Sequence, residues 1–224
     1  MTTPQYAGTS RSRLVASGEF IVGALVVIAH NIIRIIPNEV PILVVAGLLS
    51  ARLWSGRWQL PGLNRPRSWF QTILFAVAAA VLRLVLSEFV IEPLGKQVWP
   101  PPTVSSAFDQ VTGNPRNALA TLLLMWTFAA FGEEFAFRGY LLSRFIKAAG
   151  GSTSAAWIGV IVVGVLFGIG HYYKGPVGMI DSAVAGVILG AVCLLTGRNL
   201  WAAILAHGLI DTYCVMLLYF GWAS

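Results

Sequence analysis

The sequence predicts an all-α fold: a polytopic membrane helical bundle of about seven transmembrane helices, six to eight at the limits. Three observations predict it. Of 224 residues, 57% are hydrophobic and only 11% are charged, where soluble domains carry about 25% charged residues. Mean hydropathy is +0.75. The apolar residues are gathered into runs that can cross a bilayer as helices, separated by short polar segments. The formal charge of +6 does not make a nucleic-acid surface. The basic residues stand in short loops between apolar runs, which is the pattern of topology signals. No nucleic-acid partner is expected, and the lipid bilayer is. Cys193 and Cys214 both lie in apolar runs, which supports neither a disulfide framework nor a thiolate metal site.

Residues 1–13 are polar and are expected to form a disordered tail; 14–224 form a single transmembrane domain without internal repeats. The first span is expected over 14–36, interrupted by Glu19, His30 and Arg34. It is too long for a signal-peptide core despite Arg11 and Arg13 ahead of it, and is expected to be retained. Pro37-Asn38-Glu39 is a turn, and 40–54 is a short second span. Residues 55–68 form a basic loop with Arg57, Arg65 and Arg67. The third span covers 69–92, holding Arg83 and Glu88, and 93–116 is a loop rich in Pro, Ser and Asp. A fourth helix is expected over 117–148, then a turn at Gly150-Gly151-Ser152. Spans five to seven are expected over 153–173, 177–195 and 200–222.

With the N-terminus on the cytoplasmic side, Arg11, Arg13, Arg52, Arg57, Arg65, Arg67, Arg144, Lys147 and Arg198 fall inside, and Arg34, Lys96, Arg116 and Lys174 outside. That asymmetry obeys the positive-inside tendency. Gly164-x-x-x-Gly168 and Gly186-x-x-x-Gly190 put small residues one turn apart on spans five and six, as close helix packing in lipid requires.

Chemistry is concentrated in the second half. Glu133 and Glu134 stand side by side in the otherwise apolar run 118–137, where an ionised group costs roughly 2.5–3.5 kcal/mol at the bilayer centre. Glu134 and Arg138 are four apart and share a helical face, so they can pair. Glu133 points about 100° away and lacks that partner. The plain alternative is a helix end at the water interface. His171 and His207 lie in the C-terminal spans, with Asp211 one turn beyond His207. A single histidine on an apolar face is ordinarily a packing residue; two histidines, an aspartate and a glutamate pair together are harder to explain that way. With spans four and five as a hairpin about Gly150-Gly151, residue 133 lies opposite 168, and His171 is offset by about 5 Å. His207 enters span seven by about 10 Å, so the three can meet in the inner half of the membrane. A carboxylate beside a neutral imidazole can activate water, and His207 with Asp211 can stabilise an oxyanion. The set Glu133, His171 and His207 can also hold a divalent metal such as zinc, and the residues alone leave both mechanisms open.

Glu133-Glu134-x-x-x-Arg138, Phe167-x-x-x-His171 and His207-x-x-x-Asp211, in that order, resemble the three motifs of the CPBP intramembrane proteases. That family includes the type II CAAX prenyl endopeptidases and the bacteriocin-immunity Abi proteins. The resemblance spans about 119–219, with the catalytic core expected at 117–222. It implies a helical membrane endopeptidase acting on a membrane-anchored peptide or protein. By motif position, Glu133 would activate water with His171, while His207 and Asp211 would stabilise the oxyanion. Glu134, Arg138 and Phe167 would support them. The family's last position is Asn or Asp; an ionised Asp211 cannot donate, so the oxyanion role leans on His207.

The first 115 residues match no motif, and His30, Glu19, Arg83 and Glu88 there are expected to be helix–helix contacts or interface residues. Two other function classes compete: a non-catalytic scaffold or immunity protein of the same fold, and a small transporter with a carboxylate proton relay. The four retained site residues argue against the first. A transporter expects matching broken helices in two halves, which the sequence lacks.

Overall fold

The computed structural model describes residues 9–56, 58, 62–99 and 110–222. Residues 1–8 of the expected tail, Arg57 of the basic loop and 100–109 of the 93–116 loop lie outside the described residues. Seven helices and no strand are found among those described. In chain order they are α1 (Ser10–Ile33), α2 (Glu39–Ser55), α3 (Trp69–Val98), α4 (Pro115–Ala148), α5 (Thr153–Ile169), α6 (Tyr172–Leu195) and α7 (Trp201–Phe220). Five of them, α1, α3, α4, α6 and α7, are long and apolar enough to cross a membrane, and α5 is a shorter apolar helix. The protein is an integral membrane helical bundle.

Local chemistry explains where the elements begin. Thr9 caps α1 by accepting from the Ser12 N–H, so the helix starts at Ser10 and takes in four residues expected to belong to the tail. Asn38, Ser68, Asn114 and Ser152 cap α2, α3, α4 and α5 in the same way. Gly150 and Gly151 turn between α4 and α5 with φ of 89° and 78°, a region closed to most side chains.

Two boundaries correct the sequence expectation. Helix α3 runs through Pro93 to Val98 instead of stopping at 92. Its backbone widens to a π turn over Ser87–Ile91, and α-helical bonding resumes at Glu92 with Pro93 in the first turn, where its missing N–H costs little. The second correction concerns His171, which is not on a helix. Helix α5 ends at Ile169, and His171 leads into a tight turn, Tyr172–Lys174, before Gly175 and Pro176 open the α-helical part of α6. Gly175 has φ 72°, so the reversal comes at that glycine.

Helices α5 and α6 pack at backbone contact. A Cβ on Gly186 would lie 2.9 Å from Gly164 Cα, and one on Gly168 would meet the Met179 carbonyl oxygen at 2.6 Å. The two small-residue faces meet each other. The C-terminal part of α4 is buried: Phe135–Leu141 are all buried, and Phe137, Leu141 and Leu142 join a core with Val160, Val163 and Phe167 of α5. Trp126 of α4 lies flat against Gly208 of α7 and donates its indole N–H to Thr212 Oγ1 at 3.1 Å.

Candidate active site

The middle of α4 is not a regular α-helix. Met125–Glu133 and Phe135–Leu141 are π-helical, the two segments meeting at Glu134. Such wide turns are rare and cluster at functional sites. They carry both carboxylates into the bundle.

Glu134 is wholly buried and accepts two bonds at one oxygen. Arg138 Nη1 donates to Glu134 Oε1 at 2.8 Å, and His207 Nδ1 donates to the same atom at 2.9 Å. Because a carboxylate oxygen only accepts, His207 must carry a proton on Nδ1, which leaves Nε2 for chemistry. That Nε2 lies 3.6 Å from Asp211 Oδ2, an ion-pair separation too long for a hydrogen bond. Arg138 spends its other guanidinium nitrogen, Nη2, on the Gly186 carbonyl at 3.0 Å. Its Cζ lies over the Phe167 ring, 4.5 Å from the ring centre. One buried carboxylate thus ties α4 to α7, and the arginine it pairs with ties α4 to α6 and α5.

Phe167 is the spacer of the site. Its ring stands 4.7 Å from that of His171 and 6.0 Å from that of His207, with Phe137 edge-on behind it at 5.0 Å. The Phe167 carbonyl accepts from His171 Nδ1 at 2.8 Å. A carbonyl only accepts, so His171 too has its proton on Nδ1, and its Nε2 is a free base.

Glu133 differs from its neighbour in holding neither Arg138 nor His207, although Oε2 of Glu134 is also buried without a hydrogen-bond partner among the described residues. The Oε2 of Glu133 is buried and has no hydrogen-bond partner among the described residues. No direct bond joins Glu133 to His171. Asp211 Oδ2 is likewise buried without a hydrogen-bond partner. A buried carboxylate left unsatisfied is costly unless the site uses it.

A comparison with protein families matches residues 115–213 to the type II CAAX prenyl endopeptidase Rce1-like family. Over this region the chain is similar to the Rce1-like family. The Rce1-like match covers a little under half of the 224 residues, and every side chain of the site falls inside it. No curated protein and no solved structure matches the chain. The Rce1-like family is a protease family, which supports protease activity in this broad sense.

The Rce1-like core does not assemble a metal centre: among the described residues no group of three or more His, Cys, Asp or Glu side chains is placed to hold a metal ion. The candidate set Glu133, His171 and His207 therefore does not converge as ligands.

Residues ahead of the Rce1-like region brace it. Glu19 of α1 pairs with Arg144 of α4 at 3.2 Å, and Arg83 of α3 pairs with Asp181 of α6. Glu39 binds Asn31 at 2.9 Å and His30 at 3.3 Å, its carboxylate standing beside Gly170. Glu19, His30 and Arg83 are helix–helix contacts as the sequence suggested, and Glu88 is exposed. Sequence reasoning missed the bond from Glu134 to His207, the partner Asp181 and the position of Lys174. For Asp181 a signal existed: an aspartate inside an apolar run needs a cation, and Arg83 was the unmatched one.

Proposed function

We propose that the protein is an intramembrane endopeptidase, similar to the CAAX proteases, that hydrolyses a peptide bond of a membrane-anchored substrate with water activated by Glu133 and His171. The observation that carries this reading is Glu133, whose buried Oε2 has no hydrogen-bond partner among the described residues and which holds neither Arg138 nor His207, in a bundle where the imidazoles of His171 and His207 have their Nδ1 atoms committed elsewhere. A water between Glu133 and His171 Nε2 can give its proton to one of them as its oxygen attacks the peptide carbonyl carbon. The carbonyl oxygen becomes an oxyanion, and a protonated His207 Nε2 is the donor aimed to receive it. Collapse of the tetrahedral intermediate breaks the C–N bond. The proton held by Glu133 or His171 passes to the leaving amine, which completes the hydrolysis without a covalent enzyme intermediate.

Glu134, Arg138 and Phe167 support this chemistry without touching the reacting atoms. Glu134 fixes the tautomer and angle of His207, Arg138 neutralises Glu134, and Phe167 sets the two imidazoles apart. Asp211 limits the swing of the His207 ring.

The test is cleavage of a panel of membrane-tethered peptides by the purified protein in lipid, with and without a chelator. The reading expects cleavage that a chelator leaves unchanged. Loss of cleavage with the chelator would contradict the mechanism, and no cleavage of any peptide would count against protease function itself.

A further inference from the structure

Hydrolysis by Glu133 and His171 makes no use of Lys174, although it closes the turn that begins at His171. Its backbone N–H donates to the His171 carbonyl at 2.9 Å. Tyr173, between the two, holds its ring 5.9 Å from that of His171, and Lys174 Nζ lies 5.8 Å from the same tyrosine ring. Among the described residues the neighbouring ion pairs are Arg83–Asp181, Arg138–Glu134 and His207–Asp211, and Lys174 belongs to none of them.

We propose that Lys174 binds a carboxylate of the peptide substrate and so selects which peptides are cleaved. The inference rests on the protease reading and adds a substrate feature to it. An ammonium without an ion-pair partner, on the turn that opens at His171, is complementary to an anion carried by the molecule that enters the site. A peptide offers that anion in two places, its C-terminal carboxylate or an Asp or Glu side chain. The flanking Tyr172 and Tyr173 are 45% and 69% exposed. Amphipathic rings of this kind sit at the membrane–water boundary, where a charged peptide end can arrive without crossing the apolar core. A lysine that only snorkels to that boundary would be indifferent to the charge of the peptide.

The experiment measures kcat/KM for three peptides that share one membrane anchor and one scissile bond: a free C-terminal acid, its C-terminal amide, and an amide carrying one Glu near the cleavage point. Each is run on wild type, Lys174→Met and Lys174→Arg, in neutral and in anionic lipid. The wild type is expected to prefer the acid, or the Glu-bearing amide, over the plain amide by about tenfold or more, as one charge-assisted contact allows. Which of the two is preferred identifies the source of the carboxylate. Lys174→Met is expected to lose the preference and Lys174→Arg to keep it. The ratio is taken within each variant, so cleavage of the plain amide also reports folding. Equal cleavage of all three peptides by wild type overturns the inference, as does a preference that survives in Lys174→Met. An effect of Lys174 that follows lipid charge alike for every peptide makes it a lipid contact, and also overturns it. No cleavage of any peptide overturns the protease reading and this inference together, whereas cleavage without preference overturns this inference alone.

Discussion

Glu133 and Glu134 are neighbours with different surroundings, and their hydrogen bonds separate them. Glu134 holds Arg138 and His207 through one oxygen, both partners being buried. Glu134→Gln keeps the shape but leaves the Arg138 charge uncompensated, and removing one partner of a buried pair costs roughly 3–5 kcal/mol. The variant is expected to lose stability on that order, read as a lowered thermal unfolding midpoint in detergent or lipid. The Glu134–Arg138 pair was legible in the sequence because a spacing of four on a helix puts two side chains together. The bond to His207 was not: 73 residues separate the two, and their meeting depends on how α7 packs on the π-helical part of α4. Nothing in apolar periodicity marks those wide turns, so phasing at about 100° per residue misplaces the side chains C-terminal to them.

At the scale of elements, the contact between α5 and α6 follows from glycines that leave no room. Gly186→Ala would put a methyl group 2.9 Å from the Gly164 backbone and 3.1 Å from Phe167 Cβ. Overpacking of this kind costs roughly 1–3 kcal/mol, and here it also pushes on Phe167 and through it on both histidines. The expected result is lowered stability with reduced cleavage. Gly18→Ala in α1, where no atom lies within 4 Å of the added carbon, is expected to be neutral or slightly stabilising in the same melts. The glycine pattern was legible because small residues one turn apart have a single strong use in lipid. The end of α5 was not legible: the apolar run continues to 173, and only the backbone at Gly175 shows that His171 stands in a turn.

Over the whole molecule, two charged pairs hold the first half of the chain to the second. Arg83 and Asp181, on α3 and α6, are each about nine-tenths covered, and Glu19 fastens α1 to Arg144. Arg83→Met strands a carboxylate among apolar helices and is expected to destabilise by roughly 3 kcal/mol, while adding Asp181→Leu is expected to restore most of that loss. Thermal unfolding of the two single variants and the double variant measures the coupling. Additive losses would mean that the pair does not join the halves. The bundle itself was legible from composition and run length alone, since few other folds tolerate so little charge. The bracing was legible only as a set of misplaced charges, because pairing across helices depends on packing that one sequence does not display.

The central claim is that Glu133 activates water while Glu134 holds the site together. The most direct measurement compares Glu133→Gln with wild type for cleavage of a membrane-tethered peptide in lipid, with unfolding followed in the same preparations. Cleavage is expected to disappear while the unfolding midpoint stays within a degree or two of wild type, about the effect of a few tenths of a kcal/mol. A Glu133→Gln protein that cleaves as fast as wild type would contradict the account.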